Sequence, residues 1–172
     1  MLKSKCWPVT TPVLCICGKF LNKDNMEKKV VKVREQFSEF PGLRLHKESP
    51  GVSGEDFYHE VLNGEFHQAI NSGNNLVVDL DDTAGYPPSF LDEAFGRLAF
   101  DFGIDTVKKT LTIISKDEPS WENMISDSTL VLWEKRRKAN EIPECSEDYP
   151  NKPWWHAFKD GLKQISSYDE CR

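Results

Sequence analysis

An apolar segment that runs directly into closely spaced acids constrains this chain most. Leu76-Val77-Val78 is a continuous apolar run with two β-branched valines, as in a strand that is buried on both faces. Three acids follow it within four positions: Asp79, Asp81 and Asp82. The next residues, 83–88, are turn-prone, and from Ser89 onward apolar residues recur at helical spacing. The stretch 75–96 therefore predicts a strand, an acidic loop and a helix. The loop would lie at the carboxyl end of a strand, where open α/β sheets usually bind ligands and partners.

The flanking segments alternate between strand and helix patterns. Predicted strands cover 28–33, 43–45 and 110–114, with 43–45 the shortest of them. Ser53 is a predicted N-cap with Asp56 in the reciprocal capping position, and Gly73 follows the end of that helix. Asp117 and Pro119 begin a further predicted helix that extends to about residue 137. The predicted fold class is α/β, with a small mixed β-sheet packed against helices.

Composition divides the chain into four predicted parts. They are an N-terminal extension at 1–25, an α/β domain at 26–138, an acidic proline-containing linker at 139–152 and a C-terminal amphipathic helix at 153–172. Met26 is an alternative start. The C-terminal helix is predicted because five apolar residues would share one face: Trp154, Trp155, Phe158, Leu162 and Ile165. That face would pack on its own domain, cover the sheet edge, meet a partner or form a homodimer.

Charge and hydropathy disfavour nucleic acid and membrane partners. The net charge is −6, and the basic run at 135–138 is typical of the last turn of a helix, where cations complement the helix dipole. No apolar run approaches the roughly 20 residues that a membrane-spanning helix needs. These features predict a cytoplasmic protein.

The cysteines do not indicate a disulfide framework. The chain has five, an odd number without regular spacing. Free thiols are the prediction, with a zinc site at Cys6, Cys15 and Cys17 as the alternative, although the usual ligand spacing is missing. No cofactor is predicted.

The acidic segment Asp79-Leu80-Asp81-Asp82-Thr83 resembles the first motif of the haloacid-dehalogenase phosphohydrolases. The resemblance implies a carboxylate nucleophile at Asp79, a general acid/base at Asp81 and Mg²⁺. However, a strand and a helix precede the motif, and no later lysine or acidic pair stands in strand context. A phosphohydrolase is therefore the alternative, and the prediction is a protein without catalytic activity.

A second resemblance covers more of the chain. The segments 41–44, 53–57 and 78–96 are similar, in order and spacing, to the bacterial STAS-like family of unknown function, which is related to anti-anti-sigma factors. The resemblance spans roughly 26–138. It implies a small α/β domain that binds a regulatory protein partner, such as a histidine-kinase-like ATPase, through the strand-loop-helix at 79–96.

The resemblance points to five interaction residues: Asp81, Asp82, Tyr86, Ser89 and Asp92. Family members tend to carry two consecutive serines where this chain has Pro88-Ser89, and Pro88 matches the position that is phosphorylated in the sigma-regulatory proteins. We therefore predict that Ser89 is the N-cap of the helix, with phosphorylation of Ser89 as the alternative. Tyr86 is either an exposed contact residue or folds back onto the sheet.

Overall fold

A three-stranded parallel sheet forms the centre of the computed structural model, which describes residues 28–147 and 152–171. The strands are β1 (Lys28–Lys32), β2 (Asn75–Asp79) and β3 (Leu111–Ile114), and β2 lies in the middle. In register, Val77 of β2 lies between Val30 and Thr112. The predicted α/β class is confirmed, but the sheet is entirely parallel rather than mixed.

A continuous helical segment crosses from β1 to β2. After the single turn α1 (Val33–Gln36), it consists of α2 (Gly54–Phe57), a π-helical turn (Tyr58–Leu62) and α3 (Asn63–Ser72). The predicted capping box at its start is present. The Ser53 hydroxyl accepts the Asp56 N–H at 3.0 Å, and the Asp56 carboxylate accepts the Ser53 N–H at 3.1 Å. Gly73 ends the segment at a φ of 67°, in the left-handed region that glycine adopts without strain.

Helix α4 (Pro88–Phe102) is largely buried, with 12 of its 15 residues in the interior. It is followed by α5 (Ile104–Thr110), which leads into β3, and then by α6 (Pro119–Asn123), a π-helical turn (Met124–Thr129) and α7 (Leu130–Lys138). Gly96 of α4 lies directly under the indole of Trp133 in α7, where a Cβ atom would overlap the ring. Glycine at this position therefore sets how closely α4 and α7 pack.

The predicted short strand at 43–45 is wrong, because local turns use its backbone groups. The Leu43 N–H donates to the Ser49 hydroxyl at 3.0 Å, and the Leu45 carbonyl accepts the Glu48 N–H at 2.9 Å. Hydrogen bonds over this short range fold the segment into a loop instead of a strand.

The predicted C-terminal helix is also wrong. Residues in that segment form the antiparallel hairpin of β4 (Trp154–Phe158) and β5 (Gly161–Ile165), followed by a 3₁₀ turn (Tyr168–Cys171). Lys159 and Asp160 form the two-residue turn between the paired residues Phe158 and Gly161, and Gly161 has a φ of 132°, in the region that favours glycine. Trp154 then lies opposite Ile165, and both side chains are buried.

The segment 139–147 packs against the domain rather than forming a detached linker. Ser146 is buried, and its hydroxyl and N–H donate to the Glu55 carboxylate at 2.7 and 3.0 Å. The predicted N-terminal extension, with Cys6, Cys15 and Cys17, lies outside the described residues. None of the helices within 28–147 and 152–171 has the length and apolar character to cross a bilayer.

Candidate functional site

The acidic loop folds around Leu80, the residue that directly follows β2. The Leu80 N–H donates to the Ile114 carbonyl at 2.9 Å, which extends the pairing of β2 with β3 by one residue. Leu80 is fully buried, and its carbonyl accepts the hydroxyls of Tyr86 at 3.2 Å and Thr83 at 3.4 Å. The loop is thereby closed on itself at its base.

Asp81 joins this loop to the one that follows β3. Its Oδ1 atom accepts the backbone N–H groups of Lys116 at 2.6 Å and Asp117 at 3.0 Å. Its own N–H donates to the Asp79 carboxylate at 3.1 Å. Charged hydrogen bonds to two backbone amides hold both loops in one arrangement. Asp81 therefore has a structural task.

The tip of the loop is exposed and acidic. Asp82 has a φ of 65°, a left-handed conformation that short polar side chains tolerate better than most. Its N–H donates to the carboxylate of Asp117 at 2.9 Å, and both residues are exposed. Two carboxylates thus project from neighbouring loops at the same edge of the sheet.

Tyr86 folds back into the core, which excludes the exposed alternative. The residue is 7% exposed, and its ring packs edge-on against Trp121 and tilted against Phe90. Burial raises the pKa of its phenol. The rigid loop therefore presents the residues on either side of Tyr86 and not its ring.

Ser89 does not cap α4, so that prediction is wrong. The helix begins at Pro88, and the residue before it, Pro87, supplies no side-chain cap. Proline suits the first helical position because its missing N–H has no partner there in any case. Ser89 lies in the first turn and is half-buried. Asp92 does not complete a capping box; it accepts the Trp133 Nε1–H instead, at 3.1 Å.

A shallow cleft of about 390 Å³ lies beside the start of α4. Pro88 and Ser89 line it on one side, and the exposed Leu132 of α7 lines it on the other. Arg44 and Asp92, which form an ion pair at 2.7 Å, line it as well. We call the exposed tip and this cleft together the loop surface, defined by Asp82, Pro88, Ser89, Asp92 and Leu132.

The sequence interpretation missed a buried charge network beneath the loop surface. Arg97 is fully buried, and its Nε donates to Glu93 at 2.5 Å while an Nη lies 3.4 Å from Glu55. Its guanidinium also donates to the backbone carbonyl of Glu144. The signal was present in the i, i+4 spacing of Glu93 and Arg97 on a mostly apolar helix. The network ties the segment 144–146 to α2 and α4.

Metal ligation finds no support in the described ranges. Across 28–147 and 152–171, no three side chains of the His, Cys, Asp or Glu type converge as a metal site would require. The zinc alternative at the N-terminal cysteines falls outside these ranges.

Residues 53–121 match a family model described as a STAS-like domain of unknown function (DUF4325). The segment 53–121 is thus similar to STAS-like domains. It runs from the Ser53 capping box to Trp121 and contains β2, the acidic loop, α4 and β3. The family resemblance found in the sequence is thereby confirmed, and the match leaves α7 and the C-terminal hairpin outside it. Comparison with curated proteins and with solved structures gave no match.

Proposed function

We propose that the STAS-like domain is a non-catalytic regulatory module that binds a partner protein through the strand-loop-helix at 79–96. The observation that supports this most is the combination of exposure and order in the loop. Asp82 is exposed, while Asp81 and Tyr86 fix the backbone on either side of it. A surface that is ordered before binding loses little conformational entropy when a partner docks.

The loop surface indicates the chemistry of the partner. Asp82 and Asp117 supply negative charge at the tip, and the half-exposed Leu132 supplies an apolar contact in the cleft. A complementary partner would carry basic side chains around an apolar residue. A histidine-kinase-like ATPase is the partner class we propose, from the resemblance to the sigma-regulatory proteins.

Ser89 is the proposed switch position. Its hydroxyl lies in the first turn of α4, where a helix tolerates added negative charge, and the cleft around it includes Arg44. A phosphate on Ser89 would compete with Asp92 for the Arg44 guanidinium and would add about two negative charges to the cleft. The added charge would attract the basic side chains proposed for the partner, so phosphorylation of Ser89 would strengthen binding.

The phosphohydrolase alternative assigns different tasks to the same acids. It requires Asp81 to exchange protons with a substrate, but the Oδ1 atom of Asp81 is engaged by two backbone N–H groups. Removing those bonds would release the loop after β3. We therefore propose binding rather than catalysis for this loop.

Exposed residues of the loop surface give the sharpest test of the proposed binding. Asp81 and Tyr86 are unsuitable, because they hold the loop together and replacing them would also disturb its structure. Affinity capture from cells of the source organism would compare the full chain with an Asp82→Asn/Leu132→Asp variant, and mass spectrometry would identify the captured proteins. The control is Asp105→Asn, which removes an exposed acid from α5, outside the loop surface. Any candidate partner would then be purified and its affinity measured by calorimetry.

The expected result is a partner that binds the wild type and the Asp105→Asn control alike, and the double variant at least about tenfold more weakly. Equal affinity for all three proteins would contradict the proposed surface. Mg²⁺-dependent phosphate release that Asp79→Asn abolishes would replace the proposal with the phosphohydrolase.

A further inference from the structure

A buried carboxylate orients a histidine on the C-terminal hairpin. Asp101 of α4 is fully buried, and its carboxylate accepts hydrogen bonds from the hydroxyls of Tyr58 and Tyr168. It also lies 2.7 Å from Nδ1 of His156 in β4. A carboxylate can only accept hydrogen bonds, so Nδ1 of His156 carries the proton. The imidazole is thus fixed in orientation, with Nε2 on the side of the ring away from Asp101.

His156 lines a cavity of about 450 Å³ between the hairpin and the end of α7. This volume lies within the range of small-molecule sites. Its apolar walls include Phe100 and Phe158, and its charged side chains are Arg137 and Lys159. None of the described acids lines it, although the chain as a whole carries a net charge of −6.

Among the described residues, the guanidinium of Arg137 forms only a loose ion pair. Its Nη1 atom lies 3.6 Å from a carboxylate oxygen of Glu134, which is too long for a hydrogen bond. Guanidinium groups match carboxylate and phosphate oxygens with paired donors. Arg136, the neighbouring residue, instead stacks over Trp133 at 4.3 Å from its ring centroid and is not among the cavity residues.

We propose that this cavity binds a small organic anion. Arg137 and Lys159 hold its carboxylate or phosphate group, Phe100 and Phe158 contact its apolar body, and His156 offers Nε2 to a polar atom. Arg137, His156 and Lys159 lie beyond the segment that matches the STAS-like family, whereas Phe100 lies within it, so the site joins the C-terminal part of this chain to α4. The cavity shares no lining residue with the cleft of the loop surface.

Nuclear magnetic resonance of the histidine side chains in the full chain tests the proposal. Benzoate, phenyl phosphate and inorganic phosphate are the probes, each titrated to its solubility limit against wild type, Arg137→Gln, Lys159→Gln and the matched control Arg136→Gln. Because Arg137 is 36% exposed at its side chain, and Lys159 is also exposed, both substitutions should leave the fold intact. Amide spectra of each variant check this.

The expected result is a saturable shift of the His156 ring signals with one or both aromatic anions. Affinity should fall about tenfold or more in Arg137→Gln, because a charged hydrogen bond is lost, and should not change in Arg136→Gln. The relative affinities of benzoate and phenyl phosphate show which anionic group the site prefers. Absence of saturation with both aromatic anions, or equal loss in Arg136→Gln and Arg137→Gln, would overturn the proposal. Inorganic phosphate that binds as tightly as phenyl phosphate would overturn the role of the aromatic walls.

Discussion

Replacing Gly96 by alanine measures how tightly α4 packs against α7. A Cβ atom at this position would overlap the indole of Trp133. Trp133 is fully buried, and its Nε1–H donates to the Asp92 carboxylate at 3.1 Å. The ring therefore cannot move aside without leaving its cavity and weakening that hydrogen bond.

The magnitude follows from three opposing contributions to the free energy of unfolding. Alanine gains about 1 kcal/mol over glycine inside a helix. Overpacking a well-filled core costs about 1–3 kcal/mol. Losing a hydrogen bond to a charged group costs about 1.5–3 kcal/mol. Gly96→Ala should therefore destabilise the domain by about 1.5 to 5 kcal/mol.

Gly64 in α3 provides the matched control. It is also helical, but a Cβ atom there would meet no heavy atom within 4 Å. Gly64→Ala should stabilise the domain by about 0.5–1 kcal/mol, because only the helix propensity changes. Urea denaturation followed by far-ultraviolet circular dichroism measures both variants. If Gly96→Ala were as stable as wild type, or shifted in the same direction as Gly64→Ala, the close packing of α4 on Trp133 would be refuted.

Three further predictions concern the capping residues and two buried titratable groups. Ser53→Ala should lower the free energy of unfolding by about 1–2 kcal/mol, because it removes the acceptor for the Asp56 N–H. Ser89→Ala should change it by less than about 0.5 kcal/mol, because Ser89 is not a cap. Urea denaturation compares the two variants, and equal losses would contradict the cap assignments. Burial raises the pKa of Tyr86, so its contribution to stability is complete below about pH 10 and is lost as the pH rises further. In thermal unfolding, Tyr86→Phe should therefore lose less stability than wild type as the pH rises from about 10 to 11, and an equal loss would contradict this. Burial, with the charge of Arg97 as a smaller cause, lowers the pKa of His59 well below its usual value. The contribution of His59 to stability is therefore present above about pH 6.5 and is lost as the pH falls. His59→Asn should flatten the fall in stability between about pH 7 and 5, and a pH dependence equal to that of wild type would contradict this.

The parts of the fold that the sequence predicts well depend on local signals. The capping box at Ser53, the left-handed Gly73 and the apolar run of β2 each act within a few residues, and each takes its predicted form. The start of α4 shows how two local signals compete. Ser89 and Asp92 have capping-box spacing, but Pro88 is already suited to the first helical position, so the helix starts one residue before Ser89.

Predicting the C-terminal hairpin from the sequence required a choice between helical and strand periodicity. Trp154, Phe158 and Ile165 fit a helical face, but Trp154, His156 and Phe158 also alternate as in a strand. The turn at Lys159 and Asp160, followed by Gly161, decides between them, because it reverses the chain after the five residues of β4. Tertiary contacts then hold the strand edge. The Asn63 side chain donates to the Trp155 carbonyl at 2.9 Å and accepts its N–H at 2.8 Å.

Buried polar networks were beyond sequence reasoning because their partners are far apart along the chain. The Glu55 carboxylate accepts hydrogen bonds from Ser146, which is 91 positions away along the chain. The Asp101 carboxylate accepts one from His156, which is 55 positions away. Periodicity identifies which face of a helix is apolar, but it does not identify which distant donor satisfies a buried carboxylate on that face.

The structural tasks of Asp81 and Tyr86 change where the recognition that we propose for the acidic loop is to be sought. Both side chains point their polar atoms at backbone groups of the domain, so their hydrogen bonds are already used before any partner arrives. Asp82 has the opposite arrangement, because its backbone N–H is bonded to Asp117 while the residue itself is exposed. Loss of Asp81 or Tyr86 would disturb binding and stability together, whereas loss of the Asp82 charge should affect binding alone. The difference between these two outcomes is what separates a recognition residue from one that holds the recognition loop in place.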